Sequence, residues 1–437
     1  LKIGIILDAY AYTFYASSML KSYFTMAMRS LLRNKVASAI NIGSLTIGLS
    51  AGIIILLYVM DRLGANKFNK NYKVIHLVMF NYKKSGTVFT DRMTPFPLGP
   101  AIRKEVPAVQ TVARTRQTQC LTQYGSKILY QSAMYAEPDF FKMMTFPALK
   151  GDPIATLTTN NSIVLTESAA RRLFGKDEAL GKTIVVDSAD LLTVGAVIRD
   201  VPLNSSVQFD IVLPFARYEQ AGNEALDWKS QAAWTWIQLR HGASLTAVNS
   251  QLTRLLSEHV DANILHSYAM AYFVYPLDRL ELYGTFKDGK PVAGKMYTVL
   301  IMAALAALVL LVACVNFMNL STAMAERRAR EVGLRKVLGA SRRIIIGQFL
   351  GEALLLTLIA LILSIPLAYI MLPGLMAFPG QQLTHEFGDA RLWILLLVLG
   401  ICTGMVSGSY PALYLSRFQP AKVLKRMVSL GWSGIRI

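Results

Sequence analysis

Four apolar runs, each long enough to cross a lipid bilayer, constrain this chain more than any other feature. They cover residues 36–60, 297–323, 344–372 and 391–415, and at about 1.5 Å per helical residue each clears a hydrocarbon core of about 30 Å. Lipid satisfies no backbone N–H or C=O group, so an isolated run of this length has to close its own hydrogen bonds as a helix. A mean hydropathy of +0.39 over 437 residues agrees with an integral membrane protein. Between the first and second runs lies a polar stretch, 61–296, large enough to fold around its own core. The expected fold class is therefore a membrane protein of four transmembrane α-helices, with a large mixed α/β domain inserted between the first and second spans.

The charge is distributed as topology requires. Lys21, Arg29, Arg33 and Lys35 precede the first span, seven Arg and Lys residues occupy the loop 324–343, and Arg417, Lys422, Lys425, Arg426 and Arg436 follow the fourth span. The loop 373–390 holds no Lys or Arg. The positive-inside rule then puts both ends and the 324–343 loop in the cytoplasm and the inserted domain on the other side. That domain carries 27 basic and 21 acidic residues, so most of the net charge of +18 lies in strips beside the membrane. Such strips contact lipid headgroups, and nucleic acid is not an expected partner.

Residues 1–18 read as a disordered or extraneous leader, with Met19 as a plausible natural start. Residues 19–35 place Leu20, Tyr23, Phe24, Ala27, Met28 and Leu31 at helical spacing, as in an amphipathic helix lying at the interface or packed on the bundle. In the inserted domain, "NSIVLT" reads as a strand and "ESAARRLFG" as a short helix ending on Gly175. "KTIVVD" and "LLTVGAVIRDV" read as a hairpin, and Ser244 as the N-cap of a helix over 244–260.

Catalytic motifs do not assemble. "GKDEALGKT", 175–183, resembles a phosphate loop, but that loop needs four residues between its first Gly and the Gly-Lys, after a strand and before a helix. Here Lys176 through Leu180 make five, and the helix comes first. His76, His241, His259, His266 and His385 form no pair at metal-ligand spacing, and no C-x-x-C occurs. Cys120, Cys314 and Cys402 make no disulfide framework. The expectation is no catalytic residue, no metal and no directly bound cofactor.

The spans carry more signal. Ser44, Gly48 and Gly52, and again Gly400, Gly404 and Gly408, recur every four residues, a spacing that lets helix backbones approach closely. Glu352, Asn316 and Asn319 are intramembrane polar candidates, and Pro366 should kink the third span. In "ERRAREVGLRKVLGASRR", 326–343, the pairs Glu326–Arg330 and Glu331–Arg335 support a helix over 324–338. Gly339 suits its left-handed C-terminal position, and Ser341 can cap the third span. Val332, Val337 and Leu338 offer apolar contact points among the charges.

This run resembles the signature of the FtsX/MacB-like family of ABC transporter permeases, an R-x-x-E-[IV]-G-[LIV]-[RK] run ending in Gly-Ala after the second span. "AEPDFFKMMTFPALKGDP", "NSIVLTESAARRLFG" and "LGKTI" are similar to that family's periplasmic core domain, and "YPALYLSRFQPAKVLK" to its C-terminal end. "FNKNYKVIHLV" and that last stretch look closest to the tandem-repeat, Bacteroidetes-type members. The resemblance implies a permease in the bacterial inner membrane with its large domain in the periplasm. It also implies a separate cytoplasmic ABC ATPase that supplies ATP hydrolysis, so that ATP acts only through that partner. ATPase coupling would fall on Glu326, Arg327, Arg328, Arg330, Glu331, Gly333, Leu334, Arg335, Lys336 and Gly339. A second permease repeat or a homodimer partner, and a periplasmic adaptor, outer-membrane channel or hydrolase, are the further implied partners. The implied activity is export of a hydrophobic or amphipathic cargo such as a peptide, lipoprotein or antibiotic. The alternatives are a mechanotransmitter that regulates a cell-wall hydrolase, and a membrane-anchored sensor.

Overall fold

The computed structural model describes residues 35–221, 228, 231–324, 332–376 and 390–417. The leader, all but Lys35 of the interfacial segment 19–35, most of the 373–390 loop and all but Ser416 and Arg417 of the tail lie outside the described residues. The chain divides into two compact units: Asp61–Val299, and a unit formed by the residues before and after it.

The second of these units holds the spans. Four helices, Lys35–Leu63, Gly294–Ala323, Arg342–Met376 and Ala390–Ser416, are long and apolar enough to cross a membrane. The shortest has 27 residues, or about 40 Å of helix. The first span buries one stripe, Leu45, Leu49, Ile53 and Leu57, against residues of the other three spans that include Phe317, Ala360 and Leu396. Hydroxyls sit in the same seam: Ser50 Oγ lies 2.7 Å from the Thr46 carbonyl and 3.1 Å from the Ser364 carbonyl on the third span. A bonded hydroxyl is tolerated in lipid, where an unbonded one is costly. Pro366 and Pro373 both lie inside the third helix, and Pro366 has no N–H to offer the preceding turn.

The unit Asp61–Val299 is built on an 11-stranded sheet. Its strands are β1 (Ile75–Lys84), β2 (Thr87–Asp91), β3 (Val109–Tyr124), β4 (Lys127–Ala136), β5 (Ala148–Gly151), β6 (Ser162–Thr166), β7 (Thr183–Val186), β8 (Asp190–Ile198), β9 (Ile211–Pro214), β10 (Trp234–Leu239) and β11 (Ala271–Pro276). The main path runs β11-β1-β10-β3-β4-β9-β6-β8-β5; β2 pairs β1, and β7 pairs both β3 and β8. Two pairings are parallel, β4 with β9 and β6 with β8, and the others are antiparallel. A separate two-stranded ribbon, Thr285–Lys287 with Lys290–Val292, precedes the second span.

Local chemistry explains the helices on this sheet. The Thr166 hydroxyl caps Glu167–Phe174 by accepting from the Ala169 N–H, and Gly175 ends the helix at φ +69°. The Ser244 hydroxyl likewise accepts from the Ala247 N–H to open Leu245–His259, which buries Val248, Leu252, Leu255 and Leu256 in one core with Val274 of β11. Between β7 and β8, Asp187 and Ser188 take positive φ, the left-handed conformation that a tight hairpin turn uses.

Candidate coupling site and span packing

The basic loop builds a corner. Residues 332–337 are helical, and the Gly339 N–H donates to the Lys336 carbonyl while the Ala340 N–H reaches back to the Arg335 carbonyl at 2.9 Å. These are the two bonds of a Schellman stop, and the residue between them must be left-handed. Gly339, at φ +93°, meets that condition without a Cβ penalty. The Ser341 carbonyl then accepts from the Ile345 N–H as the third span begins.

Among the described residues, side-chain contacts hold this corner to the spans. The Arg335 guanidinium donates to the Gln348 side-chain oxygen. The Lys336 ammonium donates to the Ser416 carbonyl at 2.7 Å, and Arg342 Nε to the Ser416 hydroxyl at 3.2 Å. Ser416 is the last residue of the fourth span, where unpaired carbonyls concentrate negative partial charge and favour a cation. Beneath the corner, Val332 packs with Ile345, Phe349, Ala412 and Leu415.

Three apolar residues of the corner face outward among the described residues. Leu334, Val337 and Leu338 are 63%, 60% and 78% exposed, and their i, i+3, i+4 spacing puts them on one face of the short helix and its end. The expectation of Val332 as an outer contact point is corrected here: it is 5% exposed, turned inward by the third and fourth spans. Leu334 stands outside in its place. Of the ten proposed coupling residues, Gly333 is buried, Arg335 and Lys336 brace the corner, and Leu334 and Gly339 are exposed. Glu326, Arg327, Arg328, Arg330 and Glu331 lie outside the described residues.

The glycine rows pack within this chain. A Cβ built on Gly48 would lie 2.7 Å from Ala313 Cβ, and one on Gly52 would lie 3.3 Å from Leu310, both on the second span. The fourth-span row meets the third span: Gly400 against Leu361 at 2.8 Å, Gly404 against Leu354 at 2.9 Å, and Gly408 against Ala353 Cβ at 2.6 Å. Real Cβ atoms essentially never come within 3.0 Å of such neighbours and rarely within 3.4 Å, so each glycine is a point of close helix contact. Ser44 is half-buried, with its hydroxyl donating to the Asn41 carbonyl of its own helix. The sequence reading missed the small-residue row on the third span, Ala353, Thr357, Ala360 and Ser364, all buried, whose first two members meet fourth-span glycines and whose last two accept from Thr46 and Ser50 of the first span. Small residues three and four apart were the available signal.

The other candidates fall elsewhere. Glu352 is half-buried and shares a small cavity with Ser38, Asn41 and Ser321, while Asn316 is half-buried and Asn319 exposed. The loop 175–183 leads from a helix into β7, the reverse of a phosphate loop. His76 is buried, with Nδ1 3.1 Å from the Val74 carbonyl, and burial pushes its pKa below the ordinary 6.5. The buried Cys120 thiol is pushed up to about 12, first by burial and then by Asp187 and Asp210, so it is not a thiolate nucleophile.

Fold and site together define a class: a multi-pass membrane protein whose large α/β domain interrupts its spans and whose basic corner presents an apolar face. The MacB-like periplasmic core domain family matches residues 38–255, and the FtsX-like permease C-terminal family matches residues 303–420. The chain belongs to the FtsX/MacB-like family of ABC transporter permeases. It is 25% identical over 266 residues to the macrolide export ATP-binding/permease protein MacB of Bdellovibrio bacteriovorus, covering 60% of this chain and 38% of that protein. It is 26% identical over 335 residues to the protein of the same name from Escherichia coli K12, covering 75% of this chain and 47% of that one. The chain thus spans less than half the length of these relatives. Among solved structures, the periplasmic region of MacB from Actinobacillus actinomycetemcomitans is similar at 17% identity and a TM-score of 0.36, covering 48% of this chain and 94% of that one.

Proposed function

We propose that this chain is the permease subunit of an ABC exporter in the bacterial inner membrane. In this reading a separate cytoplasmic ABC ATPase docks on the basic corner, and its ATP-driven closure is passed through the spans to the periplasmic domain. There it moves a hydrophobic or amphipathic cargo such as a peptide, lipoprotein or antibiotic.

The observation that carries this reading is the exposed face of Leu334, Val337 and Leu338, presented by a corner that Arg335, Lys336 and Arg342 fix to the third and fourth spans. A loop that only anchored the chain by charge would not need a fixed apolar face. Contiguous exposed apolar residues rimmed by charge are the usual composition of a protein contact. The relatives' name joins an ATP-binding and a permease part, which supports an ATPase as the occupant. Full-length protein carrying Leu338→Asp, captured from its native membrane, should lose a co-purifying ABC ATPase while its thermal unfolding is unchanged, because the side chain packs on little. ATPase capture equal to wild type would refute the docking assignment.

A further inference from the structure

Glu281 lies where the chain enters and leaves the unit Asp61–Val299. It sits on the helix Leu277–Tyr283, with a side chain only 12% exposed. One of its oxygens serves two cations. Oε1 is 2.5 Å from Lys295 Nζ, at the start of the second span's helix, and 3.8 Å from an Arg62 guanidinium nitrogen, at the end of the first span's helix. Its other oxygen accepts from the Ser206 hydroxyl at 3.3 Å.

Ser206 is itself fixed. Its N–H donates to Asn66 Oδ1 at 2.7 Å, and Asn66 Nδ2 donates to the Ser206 hydroxyl at 2.7 Å and to the Leu277 carbonyl at 2.9 Å. Arg92 adds a third cation nearby, donating to the Gly284 carbonyl just past the same helix. A carboxylate in this setting is held by charge and by hydrogen bonds together, and neutralising it removes the negative charge that Lys295 and Arg62 share.

We propose that Glu281 is an ionic clip between the two chain crossings. It fastens the end of the first span's helix and the start of the second to the helix Leu277–Tyr283, so that the three move as one body. Glu281 is a positioning residue, and its purpose in relaying span motion rests on the coupling reading above.

The test compares wild-type and Glu281→Gln full-length protein in lipid nanodiscs, without nucleotide, by hydrogen exchange of the amides of Ala65, Asn66, Lys67 and Tyr297. The glutamine keeps the shape and can still accept from Ser206, so only the charge is lost. Exchange at these amides should rise about tenfold in Glu281→Gln, with amides of β3 and β4 unchanged. In wild type, where Lys295 is largely exposed, raising salt from low to molar concentration should accelerate the same amides, and in Glu281→Gln it should not. Equal exchange in the two proteins, or the same salt response in both, overturns the clip. A clip that passes this test in a protein that binds no ATPase would leave the clip standing and remove the coupling reading.

Discussion

Gly404 and Gly408 are positions where one methyl group would be felt. A Cβ on Gly408 would stand 2.6 Å from Ala353 Cβ, and one on Gly404 3.2 Å from the Leu354 Cα, neither of which can swing aside. Gly408→Ala should therefore lower stability in detergent by ~1–3 kcal/mol. Gly351→Ala on the third span meets open space and should be neutral or stabilising by up to ~1 kcal/mol; thermal unfolding of the pair separates contact from propensity. A second residue-scale effect concerns pH. Burial holds the His76 pKa below 6.5 in the fold, so the unfolded chain takes up a proton first as pH falls. Stability is then fully present above about 6.5 and declines as pH drops towards the folded pKa. Denaturant unfolding followed by tryptophan fluorescence should show a smaller loss between pH 7 and pH 5.5 in His76→Gln than in wild type.

At the scale of elements, the corner at Gly339 was legible because its signals are local. Glycine stops a helix, and Ser341 precedes the next one. Which side of that helix turns inward was not legible. Val332 and Leu334 are equally apolar, and only the approach of Ile345, Phe349 and Ala412 decides between them. The same division holds in the sheet. β6, β7, β8 and the helix Glu167–Phe174 follow from short-range pattern and caps, whereas pairings such as Ile75 with Gln238 and Ala133 with Ile211 join segments that no local rule relates. The glycine rows were legible as packing faces, but their partners depended on which helices meet. The corner yields one prediction at this scale. Lys336→Met keeps the stem and removes the charge from the Ser416 carbonyl, so amides in the last turn of the fourth span should exchange about threefold faster, consistent with a loss of ~0.5–1 kcal/mol at a helix C-terminus. Unchanged exchange there would show that Lys336 does not brace the corner.

The whole molecule has two compact units, and the chain passes from one to the other inside helices, at residues 60/61 and 299/300. The membrane unit has the braced apolar corner, and the α/β unit has Glu281 where the two crossings enter. In the proposed function, ATP-driven work at the corner reaches the α/β domain. The most direct test is hydrogen exchange of the full-length protein in nanodiscs with its ATPase bound, comparing nucleotide-free with vanadate-trapped complex. Exchange within residues 61–299 should change on trapping, and Leu338→Asp should abolish that change. Identical exchange across 61–299 in the two states, with the ATPase bound and trapped, would contradict it.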